Sequence, residues 1–151
     1  MVLTQILQEN CVKVPLESTD KESAIKELVD LLDQQGQLLN KDEALKAVLM
    51  REKTRSTGIG SGIAIPHGKC KASKGLVMAI GIVKEPIEFA SVDHQPVKII
   101  ILLISPVDQT GPHIQALAKI SRMMLDKEFK TKLENAKTSE EAVELINTQD
   151  K

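Results

Sequence analysis

Three stretches of this sequence hold residue types that can do chemistry. The first is "STGIGSGIAIPHGK" (56–69), where glycines at 58, 60 and 62 precede a short apolar run, Pro66 and His67. An imidazole of ordinary pKa, ~6.5, is largely neutral near pH 7, so a ring nitrogen of His67 is free to act as a nucleophile. Pro66 fixes the backbone ahead of the ring and limits where it points. The segment Gly58–Gly62 lets backbone N–H groups approach an anion without side-chain obstruction, as in a phosphate-binding loop. The common phosphate motifs fail, however. No lysine follows at P-loop spacing, and Ile63 stands where a dinucleotide fingerprint needs its last glycine. The competing reading of His67 is a structural histidine satisfied by its neighbours.

The second stretch centres on His113, in the first turn of an expected helix. There, free N–H groups and the positive end of the helix dipole suit an anion, and a solvent-facing first-turn histidine is the alternative. The third is Arg51, at the end of a helix that runs into the glycine segment. Its planar fork could hold phosphoryl oxygens, or its charge could simply favour the C-terminus of its own helix. Thr57 and Ser56 either donate hydroxyls to the same anion or shape the turn. His94, in "VDHQP", reads as an ordinary turn residue. A metal-binding or hydrolytic site using His67 and His113, with Asp93 or His94, is the alternative chemistry. No HExxH pair or GxSxG elbow supports it.

These residues need elements to hold them. "CVKVPL" (11–16) alternates like a strand. Thr19 and Glu22 stand at capping-box spacing ahead of a helix bearing Ile25, Leu28, Val29 and Leu32, which Gly36 ends. Asn40 and Glu43 open a second helix with Leu45, Val48 and Leu49 as its buried stripe, ending near 51–53. "GIAIP" is a short strand closed by Pro66. Leu76–Val83 and Val97–Ile104 have strand length, and the second is apolar enough to be buried on both faces. "KEPIEFASVDHQP" between them reads as a surface excursion. Pro112 sits at an expected first helical position, with Ile114, Leu117, Ala118, Ser121, Met124 and Leu125 as the buried face. Thr138 and Glu141 cap a last helix carrying Ala142, Val143, Leu145 and Ile146. Interleaved strands and helices imply an α/β fold, a three-layer α/β/α sandwich with a mixed central sheet and helices on both faces.

Composition narrows the function. The 151 residues suit one domain, 1–151, with 42% apolar and 27% charged residues and a net charge of -1. That balance argues against a nucleic-acid partner, as does an aromatic set of two phenylalanines. Cys11 and Cys70 lack partners at zinc-site spacing and read as unpaired thiols in a reducing compartment. No signal layout or membrane-length apolar run occurs, so a cytoplasmic protein without membrane insertion is expected.

Two of these stretches carry a resemblance. "REKTRSTGIGSGIAIPHGK" resembles the active-site signature of enzyme IIA domains of the mannitol/fructose class (type 2) from the bacterial phosphoenolpyruvate-dependent phosphotransferase system. That class includes the nitrogen-regulatory IIA proteins. "DHQPVKIIILLISPVDQTGPHIQALAKISRMM" is similar to the second signature, in which a histidine precedes a helix. The resemblance implies that His67 is phosphorylated by an HPr-type carrier protein, that His113 supports the phosphoryl group and that Arg51 belongs to the same site. Thr57, Gly58 and Ser61 would then contact the phosphoryl group. Many relatives have an amide or an acid where Ser61 stands, and serine reaches less far. No metal or cofactor is implied. The onward partner would be a IIB protein or domain in sugar uptake, or a regulatory target; "SPVDQT" leans toward the nitrogen-regulatory kind.

Overall fold

The computed structural model describes residues 3–150; Met1, Val2 and Lys151 of the expected domain lie outside them. After a 3-10 turn at Leu3–Gln5, the elements follow in order. They are β1 (Leu7–Leu16), α1 (Lys21–Gln34), α2 (Lys41–Thr54), β2 (Gly58–Gly60), β3 (Ile63–Ala64) and β4 (His67–Lys69). Then come β5 (Val77–Ile87), β6 (Val97–Ser105), α3 (Thr110–Met123), α4 (Lys127–Glu134) and α5 (Ser139–Gln149). The sheet runs β1-β5-β6-β3-β2, with β4 also paired to β6. It is mixed: β1 is parallel to β5, β3 and β4 are parallel to β6, and β5–β6 and β2–β3 are antiparallel.

The apolar run in β6 explains the three layers. Successive strand side chains point to opposite faces. Ile100, Leu102 and Ile104 pack with α1 and α2, and Ile99, Ile101 and Leu103 pack with α3, α4 and α5. All six are essentially inaccessible to water. Each such burial contributes about 2 kcal/mol, so the central strand alone anchors both helical layers. The α/β/α sandwich with a mixed sheet is therefore the observed fold.

Two expected caps are in place. The Asn40 side chain accepts from Glu43 N at 3.1 Å, and Thr138 accepts from Glu141 N at 3.1 Å. The cap of α1 is Asp20, not Thr19: its carboxylate accepts from Ser23 N at 3.0 Å, one residue later than the capping-box spacing suggested. Gly36, at φ 73°, ends the segment as expected, its N–H bonding the Asp33 carbonyl. In α2 the buried stripe is Ala44, Val48 and Glu52, with Leu45 and Leu49 at its margin.

Three further expectations are corrected. The segment 84–96 is not wholly a surface excursion, because β5 continues to Ile87 and Phe89 is fully buried against the α1/α2 layer. The helix α4 has no counterpart in the sequence reading. Asp126 caps it, and Phe129 and Leu133, four apart, bury its inner face. Pro112 is the third residue of α3 rather than the first, and the core-facing residues are His113, Ala116, Ile120 and Met123. Ile114 and Leu125 are exposed. The inward face of α3 therefore begins at a polar residue, His113, and the helix's apolar pattern does not mark that face.

Cys11 and Cys70 are both buried free thiols. Among the described residues no helix is long and apolar enough to cross a membrane.

The shift of the cap predicts a contrast. Asp20→Ala should lower the urea midpoint of unfolding, Asp20→Asn should retain it, and Thr19→Ala should leave it unchanged. Equal losses for Thr19→Ala and Asp20→Ala would restore the capping-box reading.

Candidate functional site

The site is built on β4. Its three residues pair in parallel register with β6, His67 opposite Leu103, Gly68 opposite Ile104 and Lys69 opposite Ser105. Gly68 faces α2 so closely that a Cβ there would lie 3.2 Å from both Val48 Cγ2 and Val48 N. Alternation then sends His67 and Lys69 to the other face, toward α3. His67 thus follows the short strand β3 and Pro66, and itself opens β4. Its Nδ1 lies 2.8 Å from the Ile65 carbonyl. A carbonyl only accepts, so Nδ1 carries the proton and the lone pair resides on Nε2.

His113 comes from the first turn of α3 and is buried, not solvent-facing. Its ring centroid lies 5.4 Å from that of His67, with the planes at 62°. Its Nδ1 is 2.7 Å from Ser105 Oγ. Two histidines far apart in the chain therefore share one seam between β4 and α3.

His67 opens onto a cleft of about 390 Å³ whose lining includes Arg51, Ser56, Thr57, Gly58 and Leu117. Arg51 both finishes its helix and stands at the cleft. Its Nη1 donates to the Arg55 carbonyl at 2.8 Å, finishing α2, while the side chain also borders the cleft. Ser121 and Leu117 of α3 line the same cleft. Part of the stripe assigned to the core thus faces the site.

The remaining sequence candidates are placed differently. Thr57 borders the cleft, but its hydroxyl donates to Glu52 Oε1 and its N–H donates to Glu52 Oε2 at 2.9 Å. Neither donor is left for an anion. Gly58 N–H donates to Ser56 Oγ at 3.1 Å, and the Ser56 hydroxyl donates to the Phe89 carbonyl at 2.5 Å. Ser61 is outside the cleft: its N–H donates to Asp93 at 2.9 Å and its carbonyl accepts from Lys130 at 2.8 Å. The glycine-rich segment is consequently a β-hairpin, not an open anion cradle. Its glycines answer to packing and turning. A Cβ at Gly58 would meet Ser91 Oγ at 2.2 Å, and Ser61 and Gly62 turn the chain at φ 58° and 81°.

Asp93 and His94 do not join the histidines. The Asp93 carboxylate accepts from Ser61 N and Gln95 N, which holds it below the usual carboxylate range, and His94 sits in the turn at φ 59°. Among the described residues no group of three or more His, Cys, Asp or Glu side chains is placed to hold a metal.

Two polar residues were missed. Glu52 is a buried carboxylate on α2, paired with Lys21 at 2.7 Å and holding both Thr57 donors. A single acid at a core-facing helical position was its only signal. Ser105 ends the apolar run of β6 at an inward position, fully buried. Its signal was a lone hydroxyl where alternation demanded an apolar side chain.

Burial sets the charge state of the two rings. Desolvation lowers the His67 pKa, the Ile65 bond opposes this, and Arg51 lowers it further. His113 is lowered to about 4 by burial first, then by His67 and Lys69. Lys69 Nζ donates to Thr110 Oγ1 at 3.1 Å, at the opening of α3. A neutral nucleophilic nitrogen surrounded by cationic side chains and one neutral imidazole suits an electrophile that carries negative charge.

Comparison with known proteins agrees with this chemistry. The family described as "Phosphoenolpyruvate-dependent sugar phosphotransferase system, EIIA 2" matches residues 5–149. A nitrogen regulatory protein of Klebsiella oxytoca is 34% identical over 95% of this chain and 89% of its own length. The fructose-specific EIIABC component of Bacillus subtilis is 32% identical over the whole chain, which spans only 24% of that relative. The crystal structure of the nitrogen regulatory protein IIA-Ntr from Neisseria meningitidis superposes with a TM-score of 0.88 at 28% identity, covering 95% of this chain and 98% of that one.

Both ring shifts have the same sign, and so does their effect on stability. The unfolded rings take up protons below ~6.5, whereas the folded rings resist them, so stability is lost as pH falls from there toward about 4. Each linked proton steepens this loss by up to about 1.4 kcal/mol per pH unit. Urea unfolding at pH 7, 6 and 5 should show a shallower loss for His113→Gln than for the wild type; parallel curves would show that the ring is not held neutral.

Proposed function

Because this chain belongs to the EIIA 2 family of the phosphoenolpyruvate-dependent sugar phosphotransferase system, we propose that His67 is its phosphoryl acceptor and that Nε2 is the reacting atom. The observation carrying this reading is the Nδ1 bond to the Ile65 carbonyl, which leaves the Nε2 lone pair at a cationic cleft. Residues 1–151 act in it as a single IIA domain, and the family match does not favour the metal-dependent or hydrolytic alternative.

The donor is an HPr-type phosphocarrier protein. The Nε2 lone pair attacks phosphorus, the bond from phosphorus to the donor breaks, and its electron pair stays with the donor. The His67 ring gains positive character as the new P–N bond forms. The Ile65 carbonyl, already 2.8 Å from Nδ1–H, stabilises that charge. Arg51 and the neutral His113 hold the phosphoryl oxygens, and Lys69 adds positive charge. Such transfer needs alignment and charge stabilisation rather than covalent help.

The exposed apolar side chains Ile59, Val92 and Ile114 lie on the segments that frame the cleft, and partner proteins dock there. The family includes both sugar-specific and nitrogen-regulatory proteins. The phosphoryl group therefore passes to a IIB protein or domain, or its presence on His67 signals to a regulatory target. The reading places the protein in the cytoplasm, where these carriers would reach it.

Incubation with phosphoenolpyruvate, enzyme I and an HPr-type protein should attach one acid-labile, alkali-stable phosphate, with its nitrogen bond at Nε2 by NMR. His67→Ala should take none while keeping its fold; stable labelling of that variant would move the acceptor elsewhere. Arg51→Lys should slow single-turnover transfer on the order of 10²-fold, because a point charge cannot reproduce the guanidinium fork. An unchanged rate would confine Arg51 to finishing α2.

A further inference from the structure

We propose that Ser105 is a positioning residue for phosphoryl transfer: its hydroxyl donates to Nδ1 of His113 and fixes that ring as the tautomer with its proton on Nε2. The inference rests on the reading of His67 as acceptor and adds a residue to it.

The geometry carries the assignment. Ser105 Oγ and His113 Nδ1 are 2.7 Å apart, and both residues are buried. Either atom could in principle donate. The Ser105 hydroxyl, however, meets no other acceptor among the described residues. If Nδ1 carried the proton, the hydroxyl would accept that bond and its own hydrogen would point into a dry core without a partner, which buried polar groups avoid. The hydroxyl therefore donates, Nδ1 accepts, and the neutral ring keeps its proton on Nε2.

That nitrogen then has a hydrogen to offer an anion on His67, whose ring is 5.4 Å away between centroids. The opposite tautomer would present a lone pair to the phosphoryl oxygens and repel them. Ser105 is itself fixed by the sheet. It lies opposite Lys69 in the β4–β6 register, and its carbonyl accepts from Cys70 N at 3.0 Å. The pairing that aims His67 thus also aims the hydroxyl that sets His113.

The test begins with the unphosphorylated, 15N-labelled wild-type protein. Two-bond 15N–1H correlation spectra should show His113 with a bare Nδ1 and a protonated Nε2, and Ser105→Ala should move both nitrogens toward a mixture of tautomers. In single-turnover transfer from a phosphorylated HPr-type protein, Ser105→Ala should be slower on the order of 10-fold, as for other residues that orient a histidine. Ser105→Thr should recover most of that loss. Ser105→Ala/His113→Gln should be no slower than His113→Gln, since the hydroxyl would act only through the imidazole.

A proton on Nδ1 of wild-type His113 would overturn the proposal whatever the rates. So would full-rate transfer by Ser105→Ala, or losses from Ser105→Ala and His113→Gln that simply add. A wild-type protein showing the expected tautomer but taking no phosphate would instead overturn the acceptor role of His67, and with it the catalytic use of Ser105.

Discussion

The pairing of β4 with the last residues of β6 is the constraint on which the site depends. Three residues of β4 are locked beside Leu103, Ile104 and Ser105. Because Gly68 has no side chain, α2 can close on one face of this short strand, and His67 and Lys69 are driven to the other. The chain leaves β6 immediately after Ser105 and enters α3, whose first turn carries His113. His67, at the start of β4, and His113, in the first turn of α3, therefore both lie beside the carboxyl end of β6. A one-residue slip of β4 would turn His67 into the α2 layer and abolish the site.

Electrostatics then decides what the paired rings can be. Two imidazolium charges about 5.4 Å apart would repel by about 3 kcal/mol at an effective dielectric of 20. Desolvation disfavours each charge separately, and Arg51 and Lys69 act in the same direction. The resting site is thus cationic at its edge and neutral at its centre. A bound phosphoryl dianion reverses the meaning of those edge charges. On the proposed reading, the cations that add to burial in keeping His67 unprotonated would become counter-charges to a phosphoryl group on it.

The sequence made the local features plain and the long-range ones obscure. Caps at Asn40 and Thr138 were legible because a side chain and a backbone N–H three residues apart settle them. The β6 strand was legible from its unbroken apolar run. The missed cap at Asp20 differs by one residue, within the ambiguity of two adjacent capping-competent side chains. The meaning of the glycines was not legible, because Gly58 answers to Ser91, a residue far along the chain, rather than to a ligand. Glu52 and Ser105 were invisible for the same reason: a buried polar residue declares its purpose only through its partner, Thr57 and His113 respectively. His67, His113 and Arg51 were singled out from residue type and local context, but what makes the two rings neighbours is strand register.

The misread face of α3 shows how the surface of the site is built. This helix carries two apolar stripes. His113, Ala116, Ile120 and Met123 face the sheet, while Leu117 reaches the cleft and Ile114 stands exposed one position after His113. Ile59 and Val92 add exposed apolar surface on segments beside the same opening, 44% and 62% accessible. Here the apolar side chains of Ile59, Val92 and Leu117 line the cleft together with Arg51 and His67. Such a rim is suited to a protein partner, because docking strips water from the reacting nitrogens and strengthens every charge contact between them. Apolar contacts are also non-directional. A carrier must receive from one protein and release to another through the same atom. On the proposed reading, a rim that attracts without dictating orientation leaves alignment of the phosphorus to His67, Arg51 and His113.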